Sequence, residues 1–320
     1  MPSTGRKYVH IAAGALKNAR GEVLVCQRPA HKIYPGEWEF PGGKVEPGED
    51  ALAALRRELH EELGVTVTQA RPLIRLRHRY PELAVDLDTW LVDRWQGEPV
   101  SREHPATAWV MPDALPGWRL LAADQPIVKA LRLPAQCVFT PERVSGLASR
   151  LDDLPPNALL RLRLPGAPDD AYAAALRELA PACRARGLAF LTDRAPQQAL
   201  ASGAGGWHAT AAALRHLRDR PVPAALWFGA SCHSAQEIAH ARDIGADYVV
   251  LGPVRETSSH RGVPCLGWQE FSRVAADAGL PVYAIGGVGP RDLDAAWRAG
   301  AQGVAGISAY WAPTGAAGNP

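Results

Sequence analysis

Residues 43–65 read GKVEPGEDALAALRRELHEELGV, and the spacing inside this stretch decides the first half of the chain. A glycine turn precedes a predicted helix that places Glu58, Glu61 and Glu62 at i, i+3 and i+4. At about 3.6 residues per turn those carboxylates share one face. Leu52, Leu55, Leu59 and Leu63 form a neighbouring apolar stripe that can anchor the helix to a core. Three like charges this close need a counter-charge, and hard oxygen ligands favour Mg²⁺ or Mn²⁺. Taken alone, the three glutamates read more readily as a solvated acidic face, since charged helices are common.

The complete pattern is more specific. Gly43, five residues, Glu49, seven residues, Arg57-Glu58-Leu59, one residue, Glu61-Glu62, one residue and Gly64-Val65 resemble the Nudix box at every defined position. The resemblance implies hydrolysis of a nucleoside diphosphate linked to another group, by water with divalent-metal help. It implies Glu58, Glu61 and Glu62 as metal ligands, with the backbone carbonyl of Gly43 added. Glu49 paired with Arg57 is then expected to brace the loop, and either Glu58 or Glu61 to act as base. Glu103, in the polar segment 101–104, corresponds to an extra metal-proximal glutamate in the closest subfamily.

The flanking segments narrow the resemblance. Residues 10–16, 21–28 and 89–95 read as strands. Arg28, the run from Glu39 to Lys44, the segment 91–99 and Ala123-Asp124-Gln125-Pro126 together resemble the 8-oxo-dGTP diphosphatase (MutT) type of Nudix enzyme over residues 8–131. That implies a nucleoside triphosphate substrate, a role in nucleotide-pool sanitation, and a nucleotide site containing Arg28, Glu39, Phe40, Gly42 and Asp124. Two positions depart from the pattern. Asp124 replaces an asparagine whose amide reads the oxidised guanine, and an ionised carboxylate accepts a hydrogen bond but donates none to O6. Leu83 replaces an arginine near the base. Other nucleotides therefore stay open as substrates.

A chain of 320 residues suits two domains, expected at 1–131 and 136–320 around a linker at 132–135. With 35 basic and 33 acidic residues, the charge gives no reason to expect direct nucleic-acid binding or a membrane surface. Cys26, Cys137, Cys183, Cys232 and Cys265 form neither Cys-x-x-Cys nor a zinc spacing, which fits a reducing, cytoplasmic setting. No apolar run suggests a signal peptide or reaches the ~20 residues needed to span a bilayer.

The second half changes character. Short apolar runs at 136–139, 159–164, 188–191, 206–208, 224–228, 248–251, 282–285 and 303–306 alternate with Ala-rich helical stretches, including 170–186, 234–244, 268–278 and 291–299. Eight such alternations predict a (β/α)₈ TIM-type barrel, with an open doubly wound sheet as the alternative. The chain as a whole is thus expected to be α/β: an α/β/α sandwich with a mixed sheet, then the barrel. Gly286-Gly287 follows the seventh run and Ser308 the eighth, where barrels of this kind cradle phosphate on backbone N–H groups.

With Ser231–Ser234, Leu191–Arg194 and the 245–253 run, these motifs resemble the thiamine phosphate synthase/thiazole tautomerase family over 136–311. The resemblance implies Arg163, Asp193, Thr257 and Ser259 as surviving site positions. It also marks losses: Pro165 stands for a lysine, Ala211 for a glutamine, Ala213 for a metal-binding aspartate and His260 for a lysine. A barrel that binds a phosphorylated thiazole or pyrimidine without making thiamine phosphate is the expectation. His233 is a candidate acid/base, or else a residue that caps the next helix. A bifunctional enzyme with an active barrel is one alternative. A non-catalytic nucleotide sensor is another, which the intact glutamate set argues against.

Overall fold

The first strand already dictates a three-layer arrangement. In the computed structural model, which describes residues 8–257, 262 and 264–311, β1 (Tyr8–Leu16) sends alternate side chains into two different cores. Ala12 and Leu16 pack with Leu55, Leu59 and Leu63 of α1 (Ala51–Leu63), while Ala13 and Ala15 pack with Ile127 and Val128 of α2 (Gln125–Arg132). β2 (Val23–Gln27) does the same with Leu24 and Cys26 against Val23 and Val25. A strand buried on both faces needs a helix on each side, hence the sandwich.

The remaining strands of this unit are β3 (Trp38–Glu39), β4 (Gly42–Lys44), β5 (Thr66–Arg79), β6 (Ala84–Gln96) and β7 (Thr107–Val110). One sheet runs β4-β1-β6-β5 and is mixed, with β1 parallel to β6. The other runs β3-β2-β7 and is antiparallel. The functional stretch enters through β4, which pairs with β1 at Ala13↔Gly42 and Ala12↔Gly43. Gly42 has φ +145°, and a Cβ there would collide with the Ala12 carbonyl, so only glycine lets β4 lie this close. The helix that follows is capped at both ends: Asp50 accepts the Ala53 N–H at 2.8 Å, and Gly64, at φ 73°, donates to the His60 carbonyl at 3.0 Å.

The chain divides into two compact units between Arg132 and Leu133. The second is a closed parallel barrel of β8 (Gln136–Phe139), β9 (Leu159–Arg161), β10 (Ala189–Thr192), β11 (Gly206–Ala209), β12 (Trp227–Cys232), β13 (Tyr248–Leu251), β14 (Val282–Ile285) and β15 (Gly303–Gly306). Around it lie α3 (Asp169–Ala185), α4 (Pro196–Ser202), α5 (Ala211–Leu214), α6 (Ala235–Asp243), α7 (Gly267–Ala275) and α8 (Leu293–Arg298). Alternation again sorts the side chains. Cys137, Phe139, Tyr248, Val250 and Tyr283 fill the barrel, while Val138, Val249 and Leu251 face the helices. Gly229 makes room for the Tyr248 ring, which a Cβ at that position would strike.

The fifth barrel strand was expected at 224–228 and lies at Trp227–Cys232. Pro223 opens a turn that closes with the Leu226 N–H on its carbonyl at 3.0 Å, and the strand begins only after it. After the last strand the described residues end in a single turn, Tyr310 N–H to the Ile307 carbonyl at 3.0 Å. No helix among the described residues is long and apolar enough to cross a membrane.

Candidate active site

The three glutamates of α1 share a face but sit at three depths. Glu62 is buried at 3% exposure, Glu58 is mostly buried and Glu61 is half exposed. Glu62 Oε2 accepts the Gly42 N–H at 2.9 Å. His104 Nε2 lies 3.4 Å from the same oxygen, close enough to pair in charge, and neither ring nitrogen of this buried histidine makes a hydrogen bond. Burial works against the His104 imidazolium, but the Glu62 and Glu39 carboxylates outweigh it and raise its pKa. Lys32 Nζ stands 4.0 Å from Glu62 Oε1.

Glu58 and Glu61 are gathered by one cation. Arg57 Nη1 donates to Glu58 at 2.8 Å and to Glu61 at 3.2 Å. Its other nitrogens reach Glu49 at 3.2 and 3.0 Å and the Lys44 carbonyl at 3.0 Å, which ties the loop before the helix to the helix itself. The Glu49 carboxyl is held low by Arg57, and the guanidinium is raised in turn by Glu49 and Glu58. The Glu58 carboxyl is pushed up, first by burial and then by the Glu62 and Glu61 charges. Glu58 lies directly against Gly43, where the space of a Cβ is filled by the Glu58 carboxylate.

A divalent cation is implied by the glutamate face, and the donor set fits one: three carboxylates from one helix, one of them pressed on the backbone of Gly43. No cage of three or more such side chains is preassembled among the described residues. Arg57 supplies the counter-charge to Glu58 and Glu61, while Gly42 and His104 hold Glu62. Glu103 is exposed and has no hydrogen bond or ion pair with a described residue; it is its neighbour His104 that meets Glu62. The segment 101–104 reaches Glu62 through His104 and not through Glu103, because the residue that turns inward depends on how the chain enters β7, which no local spacing reveals.

The other expected positions form a second cluster. Arg28 pairs with Glu39 and donates to the Ile33 carbonyl at 2.7 Å. Phe40 is buried, and its N–H donates to Asp124 Oδ2 at 3.3 Å. Asp124 is 4% exposed, and its carboxyl is driven well above the usual carboxylate range by burial and then by the Glu39 charge, with Arg28 pulling the other way. A buried acid facing a second acid keeps its proton to higher pH than an exposed one. Beside it, Tyr80 Oη accepts the Ala123 N–H at 3.1 Å and lines a cleft of about 530 Å³ with Tyr34, His78, Leu120 and Gln125.

In the barrel the structure assembles a charged network whose principal member sequence reasoning passed over. Arg161, the last residue of β9, is 3% exposed and lies over the Phe139 ring at 4.7 Å. Its Nη2 donates to Asp193 Oδ2 at 3.0 Å and its Nη1 to Ser231 Oγ at 3.3 Å. Ser231 Oγ meets His208 Nε2 at 2.9 Å, and His208 Nδ1 meets Tyr248 Oη at 3.0 Å. Burial, and then the Arg161 charge, hold His208 well below its ordinary pKa, so it is neutral. Asp193 is occupied on its other side as well, Oδ1 accepting from Tyr172 Oη at 3.1 Å.

Arg163 is half-buried, and its backbone exchanges hydrogen bonds with Thr140 Oγ1 at 2.9 and 3.0 Å. His233 is exposed, with Nδ1 2.8 Å from the Gly252 carbonyl. It does not cap α6: Ser234 does, accepting the Glu237 N–H at 3.2 Å. Gly286 and Gly287 both have positive φ, at 95° and 64°, and their N–H groups, like those of Ser308 and Ala309, have no partner among the described residues. Thr257 closes the described part of the loop after β13; Ser259 and His260 lie outside the described residues.

The family described as "NUDIX domain" matches residues 12–130, and the one described as "Thiamine monophosphate synthase" matches residues 155–310. The 8-oxo-dGTP diphosphatase of Escherichia coli K12 is 33% identical over 126 residues, spanning 39% of this chain and 98% of that protein. The CTP pyrophosphohydrolase of the same organism is 35% identical over 124 residues, 39% of this chain and 91% of its own. The thiamine-phosphate synthase of Laribacter hongkongensis is 36% identical over 154 residues, 47% of this chain and 72% of its own.

Proposed function

Because this chain belongs to the Nudix hydrolases through its first unit and to the thiamine monophosphate synthase family through its second, we propose that its first unit cleaves nucleoside triphosphates, 8-oxo-dGTP foremost, to the monophosphate and pyrophosphate with Mg²⁺. That the unit is a phosphoanhydride hydrolase needing a divalent metal follows from the family. The preference for 8-oxo-dGTP draws on relatives bearing that activity.

The observation that carries the proposal is the glutamate face, with Glu58 and Glu61 drawn together by Arg57 and Glu62 fixed from below. Bound there, the cation would neutralise phosphate oxygens and lower the pKa of a water. The protein's part is to hold the ligands. Glu58, Glu61 and Glu62 supply oxygens beside Gly43, and Arg57 keeps the loop and helix in register through Glu49. The proton of the attacking water goes to Glu58 or Glu61. Arg28, Phe40 and Asp124 read the nucleotide, and the cleft beside Tyr80 offers a wall for its base. Glu61→Gln should abolish turnover with little change in melting temperature, since Glu61 is half exposed. Turnover near the wild-type kcat at saturating Mg²⁺ would remove Glu61 from the ligand set.

The barrel takes phosphorylated ligands by family. The N–H groups of Gly286, Gly287 and Ser308, which have no partner among the described residues, support a phosphate there. Thiamine phosphate formation is lost in this reading, because the groups that would hold a diphosphate and its metal are replaced at Pro165, Ala211, Ala213 and His260.

A further inference from the structure

The divalent cation expected of a diphosphate-transferring barrel does not fit the residues of this one. Among the described residues Asp193 is the single carboxylate at the ends of β9 and β10 that could hold it, and both of its oxygens are engaged, one by Arg161 and one by Tyr172. The position at which a second aspartate would be expected is Ala213. His208, which faces the same interior, is neutral and already bonded at both ring nitrogens. Mg²⁺ is usually held by more than one anionic group or by substrate phosphates, and a lone, already paired carboxylate offers neither charge nor open oxygens.

The contrast with α1 is instructive. There Glu58 and Glu61 share the partly exposed Arg57, which Glu49 also holds, so a cation can take over the arginine's role toward the two helix carboxylates. In the barrel one carboxylate faces one guanidinium, both almost wholly buried, and no oxygen of that carboxylate is left open to a metal. Displacing Arg161 would leave a buried cation with no anion beside it, a costly state in an apolar barrel. Its Nε is meanwhile buried with no hydrogen-bond partner among the described residues, so the guanidinium keeps a donor unspent there.

We infer that Arg161 is the resident cation of the barrel, and that the barrel binds a phosphate monoester without any divalent metal. The Arg161–Asp193 pair stands at the C-terminal ends of the strands, the same end as the N–H groups of Gly286, Gly287, Ser308 and Ala309, which have no partner among the described residues. These supply backbone dipoles for the phosphate, and Arg161 supplies positive charge that needs no metal. The inference goes beyond the pyrophosphohydrolase reading of the first unit and does not depend on it.

The test uses the full chain carrying Glu58→Gln and Glu61→Gln, so that the glutamate face contributes little cation binding. Calorimetric titration with a phosphorylated thiazole, in excess EDTA and again in excess Mg²⁺, should give dissociation constants equal within about twofold. Mn²⁺ titration followed by paramagnetic resonance should show no ion bound in the barrel, with or without the thiazole phosphate. Ser308→Glu, an exposed substitution that sets a carboxylate at the phosphate site, should weaken binding about tenfold or more. Arg161→Gln should weaken it comparably, and Arg161→Lys should retain most of it. Binding that appears only with Mg²⁺, binding tightened about tenfold by Mg²⁺, or no binding in either buffer would each overturn the inference. If Arg161→Gln does not fold, the EDTA and Mn²⁺ results on the parent chain decide it alone.

Discussion

Replacing Gly43 by alanine isolates the geometry of the glutamate face. Gly43 has an ordinary negative-φ backbone, so alanine costs nothing in conformation; the whole effect is spatial. The added Cβ would fall on the carboxylate of Glu58 and must push it back by about 1 Å to reach normal contact. The end of a glutamate side chain swings easily, so the fold gives up little more than the Arg57–Glu58 ion pair. That pair is partly exposed, with side chains 27% and 17% accessible, and such pairs contribute roughly 0.2–1 kcal/mol. Catalysis is less forgiving: a misplacement of about 1 Å can cost roughly a hundredfold, or about 2.7 kcal/mol of transition-state stabilisation. The expected result is a kcat lowered about a hundredfold at saturating Mg²⁺, with a melting temperature lowered by only a few degrees. Adding Glu58→Asp withdraws the carboxylate by one methylene, so the double variant should lose less than the sum of the two single losses. Gly43→Ala activity within about threefold of wild type would refute the idea that Glu58 works from its position against residue 43.

Asp124 supplies a pH prediction. Its folded carboxyl titrates above its unfolded value, so stability is unaffected below the ordinary carboxylate range and falls as pH rises through it, levelling off above the folded pKa. Asp124→Asn should therefore be the more stable chain at neutral pH by thermal melts, and an equal or lower stability would contradict the assignment. In its protonated form the Asp124 carboxyl can both donate to O6 and accept from the N7–H of an oxidised guanine. Wild-type discrimination for 8-oxo-dGTP over dGTP should decline as pH rises while that of Asp124→Asn stays flat, the two diverging by about tenfold in kcat/KM; parallel pH profiles would remove Asp124 from base reading. Leu59→Ala, which empties the fully buried contact of α1 with β1, should cost about 2–5 kcal/mol in denaturant unfolding of the first unit; a loss below about 1 kcal/mol would mean α1 is not anchored by that stripe.

Much of this was legible because local signals and tertiary demands agreed. The box helix is bounded by Asp50 and Gly64, and its leucine stripe is the face that packs. Four barrel strands, β8, β13, β14 and β15, lie at the sequence positions their apolar runs marked. The illegible parts share a physical cause: depth and register are set by partners distant in sequence. A helical wheel puts Glu58, Glu61 and Glu62 on one face but does not say that Glu62 turns inward to the Gly42 N–H. The alternation Arg161-Leu162-Arg163-Leu164 puts both arginines on one side of the strand. Which one plugs the barrel follows from the pairing of Arg161 with Phe139 on β8. The fifth barrel strand was misplaced because Gly229, Ala230 and Ser231 are weak strand formers, the glycine leaving the room that Tyr248 needs.

The central claim, that the glutamate face of α1 cuts a nucleoside triphosphate to monophosphate and pyrophosphate, is tested most directly by product identification. The purified chain would be incubated with Mg²⁺ and, separately, 8-oxo-dGTP, dGTP and CTP, and the products separated by ion-exchange chromatography with contaminating pyrophosphatase excluded. The account predicts equal amounts of nucleoside monophosphate and pyrophosphate, with the highest kcat/KM on 8-oxo-dGTP. Release of orthophosphate and a nucleoside diphosphate, or no turnover of any of the three, would contradict it.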